Sequence, residues 1–373
     1  MGSCFIKAVP HSLPAQKEGA DRLKLFQDKF SIYKKAGEPL YKTPKSVQEC
    51  IELLKIAPDG IFEVAGNRYS KSYLFSDVNY NTTSEREQVG IFESYCRFLN
   101  AMDVEFKVTI NNKNRNMKAL REKVLFQKKG DGNDRERDCY NQIMEKKIVE
   151  GKQGIEQERY LTVSIIRKNY EEAKAAFASL EAVLQKGFGE LGSSLAALNG
   201  VERLRVLHDF YRMGEEEYFS FDFEEAVRAG RDYKDDICNS MLKFYPTYMQ
   251  DEKRFAKALF IKKYPSSLSD RFLTELATVP AHTIISIDVA PIPKDVTTST
   301  LQKKYMGIES DIIRQQRVRN KNNDFSSDIS YNKRTEKQQI EEIMDDVREN
   351  DQRLFYVAVT IIIKADTKEE LEA

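Results

Sequence analysis

Apolar residues along the chain follow two periods, and the same succession of periods occurs twice. In the first occurrence Leu161, Val163 and Ile165 alternate with polar neighbours, which predicts a half-covered strand over 160–167. Asn169 then offers an N-cap, with Glu171 and Glu172 in the first turn of a helix over 169–186, where the helix dipole favours negative charge. In the second occurrence 354–363 is a run of β-branched and aromatic residues, suited to a strand covered on both faces. There Asp366 is the expected cap, with Glu369 and Glu370 in the first turn. Two copies of one supersecondary unit predict a duplicated module. The second copy stops one turn into its helix.

The remaining pattern gives both copies one order. Pro58-Asp59-Gly60 is a turn, and 61–64 with 69–78 form a hairpin around Gly66-Asn67. Ser84 and Glu87 have capping-box spacing and open a helix whose apolar stripe is Ile91, Tyr95, Phe98 and Leu99. Val104, Phe106, Val108 and Ile110 alternate along the clearest half-buried strand. A long polar excursion and the break at 130–134 lead to a helix over 135–149, before the strand at 160–167. In the second copy a strand over 255–262 precedes a helix from Ser269, carrying Phe272, Leu273 and Leu276. Ile285, Ile287 and Val289 alternate along a strand that Pro291 and Pro293 stop. A long helical insert runs from about 298 through Leu301, Tyr305, Ile308 and Ile312. Thr335 and Gln338 form a second capping box before Ile340, Ile343 and Val347.

The expected fold is α+β: two tandem ferredoxin-like (split βαβ) modules with long helical inserts, joined by a helical linker. Residues 1–56 are an N-terminal arm with a helical stretch at 23–34 and a short amphipathic piece at 47–56. Residues 57–190 are the first module, 191–252 a helical and acidic linker with a helix over 201–211, and 253–373 the second module, truncated at its last helix.

Composition narrows the classes. The 373 residues are 41% hydrophobic and 32% charged, enough apolar material for real cores. With 59 basic and 59 acidic residues the net charge is zero, so no global field draws the chain to nucleic acid or anionic lipid. Cys4, Cys50, Cys96, Cys139 and Cys238 lack the short spacings of zinc or redox motifs, and an odd number argues against a disulfide framework. Reduced thiols in a cytoplasm are the expectation. No apolar run reaches the ~20 residues that span a bilayer. Met1-Gly2-Ser3 approaches the myristoylation pattern, but Ile6 stands where Ser or Thr is needed. Membrane association is therefore expected through partners.

Candidate chemistry is sparse. A phosphate cradle needs G-x-x-x-x-G-K-[ST]; the nearest fragment, Gly151-Lys152, lacks the preceding glycine and continues with Gln153. Lys186-Gly187-Phe188-Gly189 opens like an RNA-recognition signature and then fails at Glu190 and Leu191. His208 lies on an apolar helix face between Leu207 and Tyr211, which reads as a core or interface histidine. His11, His208 and His282 are far apart in sequence, so no metal or cofactor site is expected. Two basic runs remain: Lys113, Arg115, Lys118, Arg121, Lys123, Lys128 and Lys129, and Arg314, Arg317, Arg319 and Lys321. Such runs are commonly solvated helix faces; the alternative is contact with phosphates or an acidic partner. Glu215, Glu216, Glu217, Asp222, Glu224 and Glu225 form an acidic patch of the same standing.

Several phrases resemble one family in order along 45–373. Pro58 to Tyr69, Phe75 to Tyr80, Lys129 to Gly132, Glu202 to Arg212, Ser286 to Asp295 and Asp351 to Arg353 are similar to the N-terminal region of VirB/TrbE/CagE-type ATPases of Gram-positive conjugative elements. The resemblance implies a cytoplasmic type IV secretion protein, held at the inner face of the membrane by inner-membrane transfer proteins and by neighbouring protomers. It also implies a C-terminal motor that uses ATP and magnesium. None of the family's nucleotide-binding residues has a matching position here, so this stretch is expected to dock and assemble rather than to hydrolyse. A nucleic-acid-binding module using the two basic runs is the alternative, and a stand-alone enzyme the more distant one.

Overall fold

The computed structural model describes residues 46–64, 67–80, 82–114, 121, 124–150, 155–238, 241–251, 254–262, 264, 270–279, 282–321, 331–349 and 352–372. The helical stretch expected at 23–34, Ser269, and Arg115, Lys118 and Lys123 of the first basic run lie outside the described residues. The chain forms two compact units, one containing Phe92–Asp103 and Ala290–Val357, the other Thr43–Ile91, Val104–Val289 and Ala358–Ala373.

The larger unit is built on one antiparallel sheet, so the protein is mixed α+β. Its strands are β1 (Leu53–Ile56), β2 (Phe62–Val64), β3 (Arg68–Phe75), β4 (Glu105–Asn114), β5 (Ile155–Ile166), β6 (Leu195–Ala197), β7 (Lys243–Phe244), β8 (Met249–Gln250), β9 (Phe255–Phe260), β10 (His282–Pro291) and β11 (Phe355–Ala365). Their spatial order is β1-β2-β3-β5-β4-β10-β11-β9-β8-β7, with β6 added to the edge of β3. Outward from the β4–β10 seam the order is the same on both sides, and Val108 of β4 faces Ile287 of β10 in that seam.

One sheet face in the first half buries Tyr69, Tyr73, Phe106, Leu161, Val163 and Ile165, the residues that alternate in sequence. Helix α3 (Tyr170–Glu190) covers this face with Phe177 and Leu184, and Lys71 reaches Glu181 at 2.9 Å. Asn169 caps α3 by accepting from Glu172 N–H, as its sequence predicts. Helices α1 (Glu85–Ala101) and α2 (Asp134–Glu150) precede α3 in the chain, and Ser84 and Glu87 make the expected reciprocal contacts at the start of α1. Phe98 and Leu99 of α1 are buried.

The stretch expected as a linker also supplies β6, β7 and β8 to the sheet. Its helices are α4 (Gly200–Tyr211), α5 (Phe223–Ala229) and α6 (Tyr233–Ile237), and α7 (Asp270–Ala277) follows later, between β9 and β10. Leu204, Phe221, Ala226, Ile237 and Cys238 from this stretch close a second core with Ile51 and Phe62. The Pro58-Asp59-Gly60 turn fits beneath it: Gly60 has φ +81, and any Cβ there would meet the Leu198 carbonyl.

In the smaller unit α8 (Lys294–Lys321) packs against α9 (Tyr331–Glu349), burying Leu301, Ile308 and Ile340. Thr335 is not a cap, because α9 already runs from Tyr331. Lys333 and Lys337 of its first turns pair with Asp311 and Glu309 of α8 at 3.1 and 2.9 Å, and these contacts favour helix upstream of the local signal. Arg353 donates to Met102 O at 3.1 Å and its N–H to Asn100 Oδ1 at 3.1 Å, tying the approach to β11 to the end of α1.

After β11, α10 (Lys368–Glu372) is capped by Thr367, whose Oγ1 accepts from Glu370 N–H at 3.2 Å. Asp366 pairs instead with Arg254 at 2.7 Å, so the cap falls one residue later than its sequence suggests. Among the described residues no helix is long and apolar enough to cross a membrane.

Candidate functional site

The basic residues of the second run lie on the outer turns of α8. Arg314 is 80% exposed at its side chain and stands 3.5 Å from Asp311, a carboxylate already shared with Lys333. Arg317 is exposed. Arg319 and Lys321 belong to the same helix, in a part where only the backbone is described. Met306, Ile313 and Val318 are exposed on this helix, so the arginines are interleaved with aliphatic side chains. Met306, Ile313 and Arg317 follow helical i, i+7, i+11 spacing and fall in one row. An aliphatic row beside guanidinium groups suits a partner that is apolar and carries some negative charge.

The described residues of the first basic run form no comparable surface. Lys113 is half-buried in the larger unit, 2.9 Å from Glu158 and 3.3 Å from Asp209. Burial opposes its charge, yet the two carboxylates outweigh that and hold it above the usual lysine range. The Tyr160 hydroxyl donates to Glu158, and Asp209 lies 3.3 Å from Nδ1 of His208. His208 is a core residue, packed with its ring 5.0 Å from Phe219. Lys128 is exposed and pairs with Asp138 at 2.8 Å, while Arg121 meets Glu145 at 3.2 Å.

Three buried bases were not legible as a group. Arg203 of α4 donates to Gly60 O and Ser70 O at 2.7 Å each and to Ser70 Oγ at 3.2 Å, with its guanidinium 4.0 Å from the Phe62 ring centroid. Burial lowers its pKa to about 9. Lys364 of β11 lies 4.3 Å from the Phe210 ring centroid, and burial lowers it to about 8, with Asp251 pulling the other way. His282 of β10 is pushed down to about 3 by burial and then by Lys364 and Arg254. Its Nδ1 has no hydrogen-bond partner among the described residues. The signal for Lys364 was a single lysine inside an apolar strand run. For Arg203 and His282 no local signal exists.

The sheet face opposite α3 is polar across the middle. Ser72, Thr162, Lys107 and Asp288 form one cross-strand row over β3, β5, β4 and β10, with Ser72 and Thr162 hydroxyls 2.8 Å apart and Lys107 3.2 Å from Asp288. Arg68 and Glu105 pair on the same face. These groups satisfy one another and hold the seam in register. Among the described residues no group of His, Cys, Asp and Glu has the arrangement to hold a metal ion. No protein-family model matches the chain, and no curated protein matches it.

Proposed function

We propose that this chain is the N-terminal, non-motor docking and assembly region of a type IV secretion ATPase of the VirB/TrbE/CagE kind, from a Gram-positive conjugative element. It is composed of two tandem ferredoxin-like (split βαβ) modules whose second strands meet at the β4–β10 seam. Each module has the outward strand order second, third, first, and the first module is completed by β6 on the far edge of β3.

The observation that carries the reading is where the family-like phrases fall in the fold. The phrase Pro58 to Tyr69 forms the turn and hairpin of β2 and β3, and the phrase Glu202 to Arg212 supplies the arginine that ties it down, Arg203 on Gly60 O. Ser286 to Asp295 lines the seam and the start of α8. Arg353 of the phrase Asp351 to Arg353 holds Met102 and Asn100. Phrases with no chemistry of their own thus occupy joints of the scaffold, which supports a family whose shared feature here is architecture. Partners are inner-membrane transfer proteins and neighbouring protomers, met on the exposed row of α8. ATP and magnesium belong to the motor that the resemblance implies. The protein acts in the cytoplasm at the inner face of the membrane, through those partners.

A second reading, contact with DNA, is favoured by Arg314 and Arg317, exposed on α8. Capture from a donor-cell membrane fraction separates the two. Recovery of small inner-membrane transfer proteins that survives high salt and is lost in Met306→Glu/Ile313→Glu supports docking. Recovery of DNA that falls steeply with salt and with Arg314→Ala/Arg317→Ala replaces it with the nucleic-acid reading.

A further inference from the structure

The two halves of the sheet match outward from the seam except on one edge. β3 has two partners there: β2 takes Arg68, Tyr69 and Ser70, and β6 takes Tyr73, Leu74 and Phe75. Leu198, just past β6, adds its N–H to Ser72 O at 3.0 Å. On the counterpart β9, β8 takes Phe255 and Ala256, and among the described residues no strand continues along that edge.

The ladder geometry shows what this edge offers. Ile261 N–H turns inward to Val359 O at 3.2 Å, while Arg254 O turns outward to Asp251 N–H at 3.0 Å. Strand groups alternate, so Ala258 and Phe260 direct N–H and C=O away from β11. Ala258 is exposed, and Leu259 and Phe260 are 42% and 52% exposed. An edge with outward backbone groups and apolar side chains is a template for another strand.

We infer that the outer edge of β9 at Ala258–Phe260 accepts an extended strand from a partner protein, added antiparallel, in the place that β6 holds in the first half. The occupant's chemistry follows from β6, whose Leu195-Ala196-Ala197 is apolar and small. The partner segment is likewise uncharged and apolar, free of proline at the residues that bond to Ala258 and Phe260. Backbone hydrogen bonds supply the affinity, and the flanking Leu259 and Phe260 side chains supply the preference for apolar residues. This inference goes beyond the docking row on α8 and stands whether or not the chain belongs to a secretion ATPase.

The test uses the full chain and a synthetic peptide of sequence 193–199, with hydrogen exchange read at single amides. The peptide is expected to slow exchange at Ala258 and Phe260 by about tenfold or more, leaving Leu259, whose amide belongs to the β11 ladder, unchanged. Ala258→Pro removes one outward donor without touching that ladder and is expected to abolish the effect while far-UV dichroism stays native. Phe260→Lys, which keeps the backbone intact but charges the edge, is expected to weaken binding at least severalfold. No slowing at millimolar peptide overturns the inference. So does slow exchange at both amides in dilute chain alone, which would mean the chain covers its own edge. Protection that appears only as chain concentration rises overturns it too, in favour of a second copy.

Discussion

The two halves of the sheet share a strand order and differ in how they are closed. The first half is sealed: β6 completes its edge, α3 covers one face with Phe177 and Leu184, and its buried Arg203 finds three hydrogen bonds. The second half leaves Leu259 and Phe260 exposed, and its buried bases are poorly matched, His282 with an Nδ1 that has no hydrogen-bond partner among the described residues and Lys364 resting on a ring. One strand order therefore accommodates two closures, one completed by β6 and α3 and one whose edge is exposed among the described residues.

The sharpest way to break this contrast is to cut one aromatic side chain from each half, buried Phe177 and exposed Phe260. Phe177→Ala is expected to cost about 3–5 kcal/mol in urea unfolding, because it empties a fully buried site. Phe260→Ala is expected to stay within about 0.5 kcal/mol. Equal losses would mean the second half is as closed as the first.

A second test is pH. His282 binds protons in the unfolded chain near its ordinary 6.5 but in the folded chain only near 3. Its contribution is therefore complete above 6.5 and is lost as pH falls from 6.5 toward 3, up to about 5 kcal/mol. Lys364 is depressed from 10.5 to about 8, so stability should rise as pH climbs from 8 to 10.5, by up to about 3 kcal/mol. His282→Phe should flatten the acid limb and Lys364→Met the alkaline one, in equilibrium unfolding followed across pH. Unchanged limbs would mean that these two bases are not poorly matched.

The smallest effect compares the two helix caps at equivalent positions. Asn169→Ala is expected to cost about 1 kcal/mol, and Thr367→Ala about half of that, since Thr367 serves only the short α10. The reverse order would argue that α10 stabilises the second half more than its length implies.

Much of the scaffold was legible because its signals are local. Asn169 before Glu171-Glu172, Ser84 with Glu87, and the alternation of Leu161, Val163 and Ile165 each act within a few residues. The errors lie where tertiary contacts outweighed such signals. Thr335 has cap spacing, yet Lys333 and Lys337 pair with α8 and the helix starts earlier. Asp366 is a good cap by type, yet Arg254 takes its carboxylate. The Lys113–Lys129 group read as a solvated face or a partner contact; Lys113 is instead a half-buried ion pair, because its strand passes beneath Asp209 of α4. Of the Arg314 group, exposure on a helix was predictable from composition, whereas its aliphatic neighbours became a surface only once α8 chose which side to bury against α9.

The sequence by itself determined the periods, the turns and most caps, and with them the repeated order of strands and helices, since each depends on neighbours along the chain. Only the tertiary structure decided that Val108 would face Ile287 across a seam, that short segments such as 195–197 and 249–250 would become edge strands, and that Arg203, His282 and Lys364 would be buried. Strand partners and burial are non-local: a three-residue strand has no period to detect, and a base shows its burial only when distant segments close over it.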